Sequence, residues 1–157
     1  MAHLTRRDLL LTAGALALVA ATPARAQADR RIHVRLDPNC ECCTGWAAHL
    51  REAGFTVTEE EMHAGLLAAW KAEAGVPARL VGCHTGETGG YLLEGHVPAA
   101  DIERLLLERP EALGLAVPGM PYGSPGMGPE AERDAYDVVL FRADGSTEVW
   151  ATYSAAA

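Results

Sequence analysis

The sequence is short of positive charge. Its 13 lysines and arginines face 21 aspartates and glutamates, a formal net charge of -8. Nucleic-acid-binding chains usually carry the opposite balance, so that class of partner is set aside. Long hydrophobic runs are lacking too. A membrane-spanning helix needs about 20 consecutive apolar residues, and the run from Leu9 to Ala21 stops short of that. No internal repeat is present, which sets aside solenoids and other arrays. Hydrophobic residues make up 49% and charged residues 22%, proportions that exclude a disordered chain. A length of 157 residues suits one domain around one core.

The four cysteines, Cys40, Cys42, Cys43 and Cys83, lack an arrangement that suits a disulfide framework. Four cysteines allow three pairings. Cys42 and Cys43 are adjacent, Cys40 and Cys42 nearly so, and Cys83 can serve only one partner. Two separate, unstrained structural disulfides are not expected.

The first 26 residues read as an export signal rather than as part of the fold. Thr5-Arg6-Arg7-Asp8-Leu9-Leu10 sets an arginine pair before the apolar run, and Ala24-Arg25-Ala26 offers small residues for cleavage. The layout resembles a twin-arginine signal, except that Leu11 stands where a lysine is often found. Cleavage after Ala26 takes 26 of the 157 residues and leaves 131. Arg6, Arg7, Arg25 and Asp8 leave with the signal, so the mature chain, 27–157, is more acidic still. Periplasmic location is the expectation.

The mature chain reads as one α/β unit. Ile32 to Leu36 alternates apolar and polar residues as a strand does. Asp37-Pro38-Asn39 breaks it, and a helix follows from about Cys43 to Ala53, with Trp46, Leu50 and Ala53 on one face and Gly54 after its end. Phe55 to Thr58 is a second strand. A second helix runs from about His63 to Ala74, with Leu66, Leu67, Trp70 and Ala74 facing the core, and Gly75 and Pro77 stop it. Leu80 to Glu87 and Tyr91 to Val97 make a hairpin through Thr88-Gly89-Gly90. A third helix, Ala99 to Glu108, lies between Pro98 and Pro110 and buries Ile102, Leu105 and Leu106. The order strand-helix-strand-helix-strand-strand-helix is thioredoxin-like, by analogy of element order. Gly114 to Pro129 reads as a Gly/Pro-rich segment. Tyr136 to Arg142 and Thr147 to Tyr153 form a C-terminal β-hairpin extension.

Cys40-Glu41-Cys42-Cys43 falls where the first strand gives way to the first helix. Unpaired N–H groups and the positive end of the helix dipole favour thiolate there. Cys40 and Cys43 have the C-x-x-C spacing of thiol–disulfide exchange enzymes. Cys42, inside that motif, serves exchange poorly and serves a polynuclear soft-metal site well. Centring the hairpin between Thr88 and Gly89 pairs Cys83 with Glu94 and Val81 with His96, and brings Cys83 to the motif. In the competing placement Pro77 stands beside the motif, and Cys83 lies six residues on, roughly 20 Å away at ~3.3 Å per residue.

Several blocks together carry a family resemblance. They are Cys40-x-Cys42-Cys43; Gly82-Cys83-His84-Thr85; Gly90-Tyr91-x-x-Glu94-Gly95-His96-Val97-Pro98-Ala99-x-Asp101-Ile102; and Gly114 to Pro121 with Gly123 to Met127. Across nearly the whole mature chain the sequence resembles the CopG-like copper-resistance proteins. That resemblance implies a thioredoxin-like fold, a cysteine-held copper cluster and a place in periplasmic copper handling, with redox activity a further implication.

Ligand chemistry agrees. Thiolates select copper(I), zinc and iron–sulfur clusters, and four close thiols in an oxidising compartment tend to oxidise unless metal occupies them. Cys40, Cys42, Cys43 and Cys83 are therefore the candidate ligands for copper(I), in one or several ions. Zinc is the alternative, although structural zinc sites usually draw on two separated loops. His84 and His96 are candidate extra ligands or orienting donors, and equally candidate hydrogen-bonded histidines. Met120 and Met127 offer thioethers that suit copper(I), though a methionine is more often packing. His33, His49 and His63 read as ordinary, and Trp46 and Trp70 as core. Three functions stand open: a copper(I)-binding protein of copper tolerance, acting with other periplasmic copper-handling proteins; a thiol–disulfide oxidoreductase using Cys40 and Cys43; and a structural zinc module.

Overall fold

The computed structural model describes residues 30–157, and the export signal expected over 1–26 lies outside them. Within the described residues, seven strands form a single sheet in the order β2-β1-β3-β4-β5-β6-β7, with three α-helices. The strands are β1 (Arg31–Leu36), β2 (Thr56–Glu61), β3 (His84–Thr88), β4 (Tyr91–Gly95), β5 (Gly114–Val117), β6 (Tyr136–Phe141) and β7 (Thr147–Tyr153). The helices are α1 (Glu41–Glu52), α2 (Ala64–Glu73) and α3 (Ala99–Glu108). β1 and β2 run parallel through α1, and β3 and β4 are antiparallel beside them. This is a thioredoxin-like unit, and β5, β6 and β7 extend its sheet beyond β4.

Packing follows the apolar stripes. Cys43, Trp46, Ala47 and Leu50 recur at helical spacing and are the buried face of α1. Trp46 is fully buried, and its indole N–H donates to Val97 O at 2.8 Å, so the largest core side chain leaves no donor unpaired. α3 buries Ala99, Asp101, Ile102 and Leu105. Leu106 is only half-buried. β2 closes one edge of the sheet with an exposed row of acidic residues, a charge pattern that discourages pairing with another chain.

Three expectations need correction. The buried residues of α2 are Leu67 and Lys71; Leu66 faces solvent at 68% exposure, because the core lies one step further round the helix. β3 begins at His84, since Ala78–Leu80 coils into a 3-10 turn and the sheet resumes only after Cys83. The hairpin turns on Gly89 and Gly90, both at positive φ, the backbone that a two-residue hairpin turn requires. Thr85 therefore pairs with Glu94, and Thr88 with Tyr91. The register is displaced by two residues from the expected one, which keeps every side chain on its face and sets Cys83 against His96. Beyond these corrections, Gly114–Val117, at the start of the Gly/Pro-rich segment, is a further strand, buried along its whole length and parallel to β4. A Cβ at Gly114 would sit 1.8 Å from Leu92 O, so glycine lets β5 approach β4 there.

Candidate metal centre

The site forms where β1 hands over to α1. Cys40 occupies the N-cap position with extended backbone, and Cys42 and Cys43 lie in the first turn of α1. Cys40 and Cys43 are joined as a disulfide, while Cys42 and Cys83 are free. Cys42 Sγ lies 3.4 Å from Cys40 Sγ and 3.6 Å from Cys83 Sγ. All four sulfurs stand within 4.8 Å of one another. The placement of Cys83 beside the motif is thus the one the hairpin argument favoured, and Pro77 instead caps the 3-10 turn.

Two imidazoles converge on Cys83. His84 Nδ1 is 3.2 Å from its sulfur and His96 Nε2 is 3.4 Å from it, so these three residues make a second close group. His96 Nδ1 lies 2.8 Å from Pro125 O. A carbonyl oxygen only accepts, so Nδ1 carries the proton and Nε2 turns its lone pair toward Cys83. His84 is fully buried, tilted against Trp46 at 4.3 Å and edge-on to His96 at 4.9 Å. Burial lowers the pKa of both histidines, that of His84 furthest, so both rings are neutral donors of lone pairs. Burial, and next the neighbouring Cys42, push the Cys83 thiol up to about 12. Such a thiol keeps its proton at neutral pH unless a cation replaces it.

Behind Cys83 stands a buried ion pair that the sequence reading missed. Lys71 is the single lysine of the chain, is 2% exposed, and pairs with Glu94, which is 0% exposed. Lys71 Nζ donates to Glu94 Oε1 at 2.6 Å and to Gly82 O at 2.8 Å. Glu94 Oε1 accepts from Gly82 N at 2.7 Å, and Oε2 from Thr85 Oγ1 at 2.5 Å. The pair takes both backbone groups of Gly82 and so fixes the segment that carries Cys83. A lone lysine four residues after Leu67, on the apolar face of α2, was the available signal.

The Gly/Pro segment after β5 supplies the other wall. Pro125 holds His96, and Ser124, fully buried, donates to Pro121 O at 2.6 Å. Met120 is exposed and Met127 half-buried, and the Met127 amide donates to Ser124 O. His49, read as ordinary, accepts the Ala99 N–H at the start of α3, and His33 bonds Thr58 and Glu60. Gly126 has φ +84°, and a Cβ on it would lie 2.5 Å from Trp46 N and 2.9 Å from Cys42 O. Gly126→Ala should therefore lift this wall from α1. The expected cost is about 1–3 kcal/mol of stability, with faster maleimide labelling of Cys42. Unchanged melting and labelling would show that the segment does not press on the site.

A search of curated proteins gave no match. A family model described as "Protein of unknown function, DUF411" matches residues 80–127. Two solved structures are similar over most of the chain. The first, described as copper resistance protein CopG, form 1, is 46% identical, covers 79% of this chain and 97% of its own, and superposes with a TM-score of 0.73. The second, form 2 of the same protein, is 47% identical, covers 78% and 97%, and has a TM-score of 0.72. With this likeness in both sequence and fold, the chain belongs to the family of CopG copper resistance proteins.

Proposed function

We propose that the chain is an exported copper(I)-binding protein of copper tolerance, with Cys40, Cys42, Cys43 and Cys83 as its ligands. The observation that carries this reading is the convergence of four sulfurs within 4.8 Å, in a chain of a copper-resistance family. The donor set suits the ion. Thiolates are soft ligands, close packing lets one sulfur serve two ions, and the N-terminus of α1 offsets their charge. Copper bound there would supply one-electron chemistry. The residues of the chain do the remaining work: Lys71 and Glu94 hold the Cys83 segment, while His84 and His96 present neutral nitrogens to its sulfur. Breaking the Cys40–Cys43 bond takes two electrons and two protons, so full loading requires prior reduction.

Copper should outcompete zinc. Reduced protein offered both metals without air, then freed of unbound metal, is expected to retain copper. Retention of zinc alone would favour the structural zinc module.

A second reading has its own support. The Cys40–Cys43 disulfide sits at the start of a helix in a thioredoxin-like unit, as thiol–disulfide exchange requires. Disulfide reductase activity that depends on Cys40 and Cys43 but not on Cys42 would establish it.

Location belongs to the same proposal. The mature protein should begin near Gln27 and occur in the periplasm, and Arg6→Lys with Arg7→Lys should block export if the twin-arginine route is used. N-terminal sequencing of a periplasmic extract checks this. An uncleaved cytoplasmic chain would contradict export.

A further inference from the structure

With Cys40 and Cys43 joined, the two remaining thiols are left side by side. Cys42 and Cys83 come from different elements, 41 residues apart, yet their sulfurs are separated by 3.6 Å. Both are half-buried. Neither segment is free to drift. Lys71 and Glu94 hold both backbone groups of Gly82, next to Cys83. Gly126 packs so closely on the first turn of α1 that a Cβ added to it would lie 2.9 Å from Cys42 O. A disulfide needs its sulfurs at about 2.05 Å, so closure asks for roughly 1.5 Å of movement, which side-chain rotation can supply.

We propose that Cys42 and Cys83 form a second dithiol–disulfide site, giving the chain a fully oxidised state with two bridges, Cys40–Cys43 and Cys42–Cys83. From sequence two disulfides are not expected, because Cys42 adjoins Cys43, lies next but one to Cys40, and Cys83 can serve only one partner. Local closure of Cys40 with Cys43 removes that objection, because it leaves Cys42 as the one partner for Cys83. The oxidant is a disulfide compound of the glutathione class. One cysteine thiolate attacks it, forming a mixed disulfide and releasing one thiol; the other cysteine then displaces the second thiol. Two S–H bonds are lost and one S–S bond is gained, and the two electrons and two protons leave on the released thiols. In the doubly bridged state no thiolate remains for a soft cation, so metal uptake waits on reduction of both bridges. That consequence rests on the copper reading. The bridge itself rests on the sulfur geometry alone.

The test uses metal-free mature protein carrying Cys40→Ser and Cys43→Ser, in which only this pair remains, incubated with glutathione disulfide. The expected result is loss of both thiols, a monomer lighter by two hydrogens, no retained glutathione, and a Cys42 peptide linked to a Cys83 peptide. Thiols that persist, or two stable glutathione adducts, would overturn the proposal. Wild-type protein provides a measurement that does not depend on how the variant folds. Under the same oxidant it should reach no free thiols, with the peptide bearing Cys40–Cys43 linked to the one bearing Cys83. Two thiols remaining beside a closed Cys40–Cys43 bridge overturns the second site. Copper(I) offered to each form then separates the two ideas. A bridge that forms in a chain whose reduced form takes no copper leaves the dithiol site standing and defeats the copper reading. A reduced chain that loads copper but never forms the bridge does the reverse.

Discussion

Lys71→Met should destabilise the protein by about 3–5 kcal/mol, because it strands a buried carboxylate. Glu94 is fully buried, and the lysine ammonium is the cation that balances it. Methionine keeps much of the volume and the flexible stem, so the loss reports on charge rather than on a cavity. Lys71→Met combined with Glu94→Gln should regain most of the stability, since it leaves no uncompensated charge and the glutamine oxygen can still accept from Gly82 N. Urea unfolding of metal-free protein checks both variants. If Lys71→Met falls within 1 kcal/mol of wild type, the pair is not the clamp described here.

Cys42→Ser should lose most of its bound copper, as severely as Cys40→Ser. Serine keeps the size and removes the soft donor. Cys42 Sγ stands between Cys40 and Cys83, at 3.4 and 3.6 Å, and so links the helix sulfurs to the one ahead of β3. An exchange enzyme has no such need, because Cys40 and Cys43 already supply the attacking and resolving thiols. Copper per chain under anaerobic conditions, together with growth on copper of cells carrying each variant, checks this. Full copper and full tolerance in Cys42→Ser would defeat a site built on four sulfurs.

Much of this was legible in the residues where local chemistry and tertiary packing agree. α3 runs from Ala99 to Glu108 as expected, because Pro98 and Pro110 bracket one clear apolar stripe. The cysteine motif fell at the strand-to-helix junction for a similar reason: Asp37-Pro38-Asn39 ends β1 and α1 starts directly after. β5 was illegible, since Gly-Leu-Ala-Val is too short to show a period and sits among glycines and prolines. The hairpin register missed by two because the turn glycines, not Thr88, take the positive φ. An even displacement kept Cys83 on the correct side, so the site survived the error. Lys71 and Glu94 lie far apart along the chain and meet only through the packing of α2 on the sheet. The lone lysine on the apolar face of α2 signals a buried partner, but no local pattern names Glu94 as that partner or shows how Pro125 sets the His96 ring.

Copper-edge X-ray absorption of the reduced, copper-loaded mature protein tests the central claim most directly. Four converging cysteines predict a coordination shell dominated by sulfur, with copper as Cu(I), and a sharp fall in sulfur neighbours in Cys83→Ser. A shell of nitrogen and oxygen, unchanged by Cys83→Ser, would contradict the account.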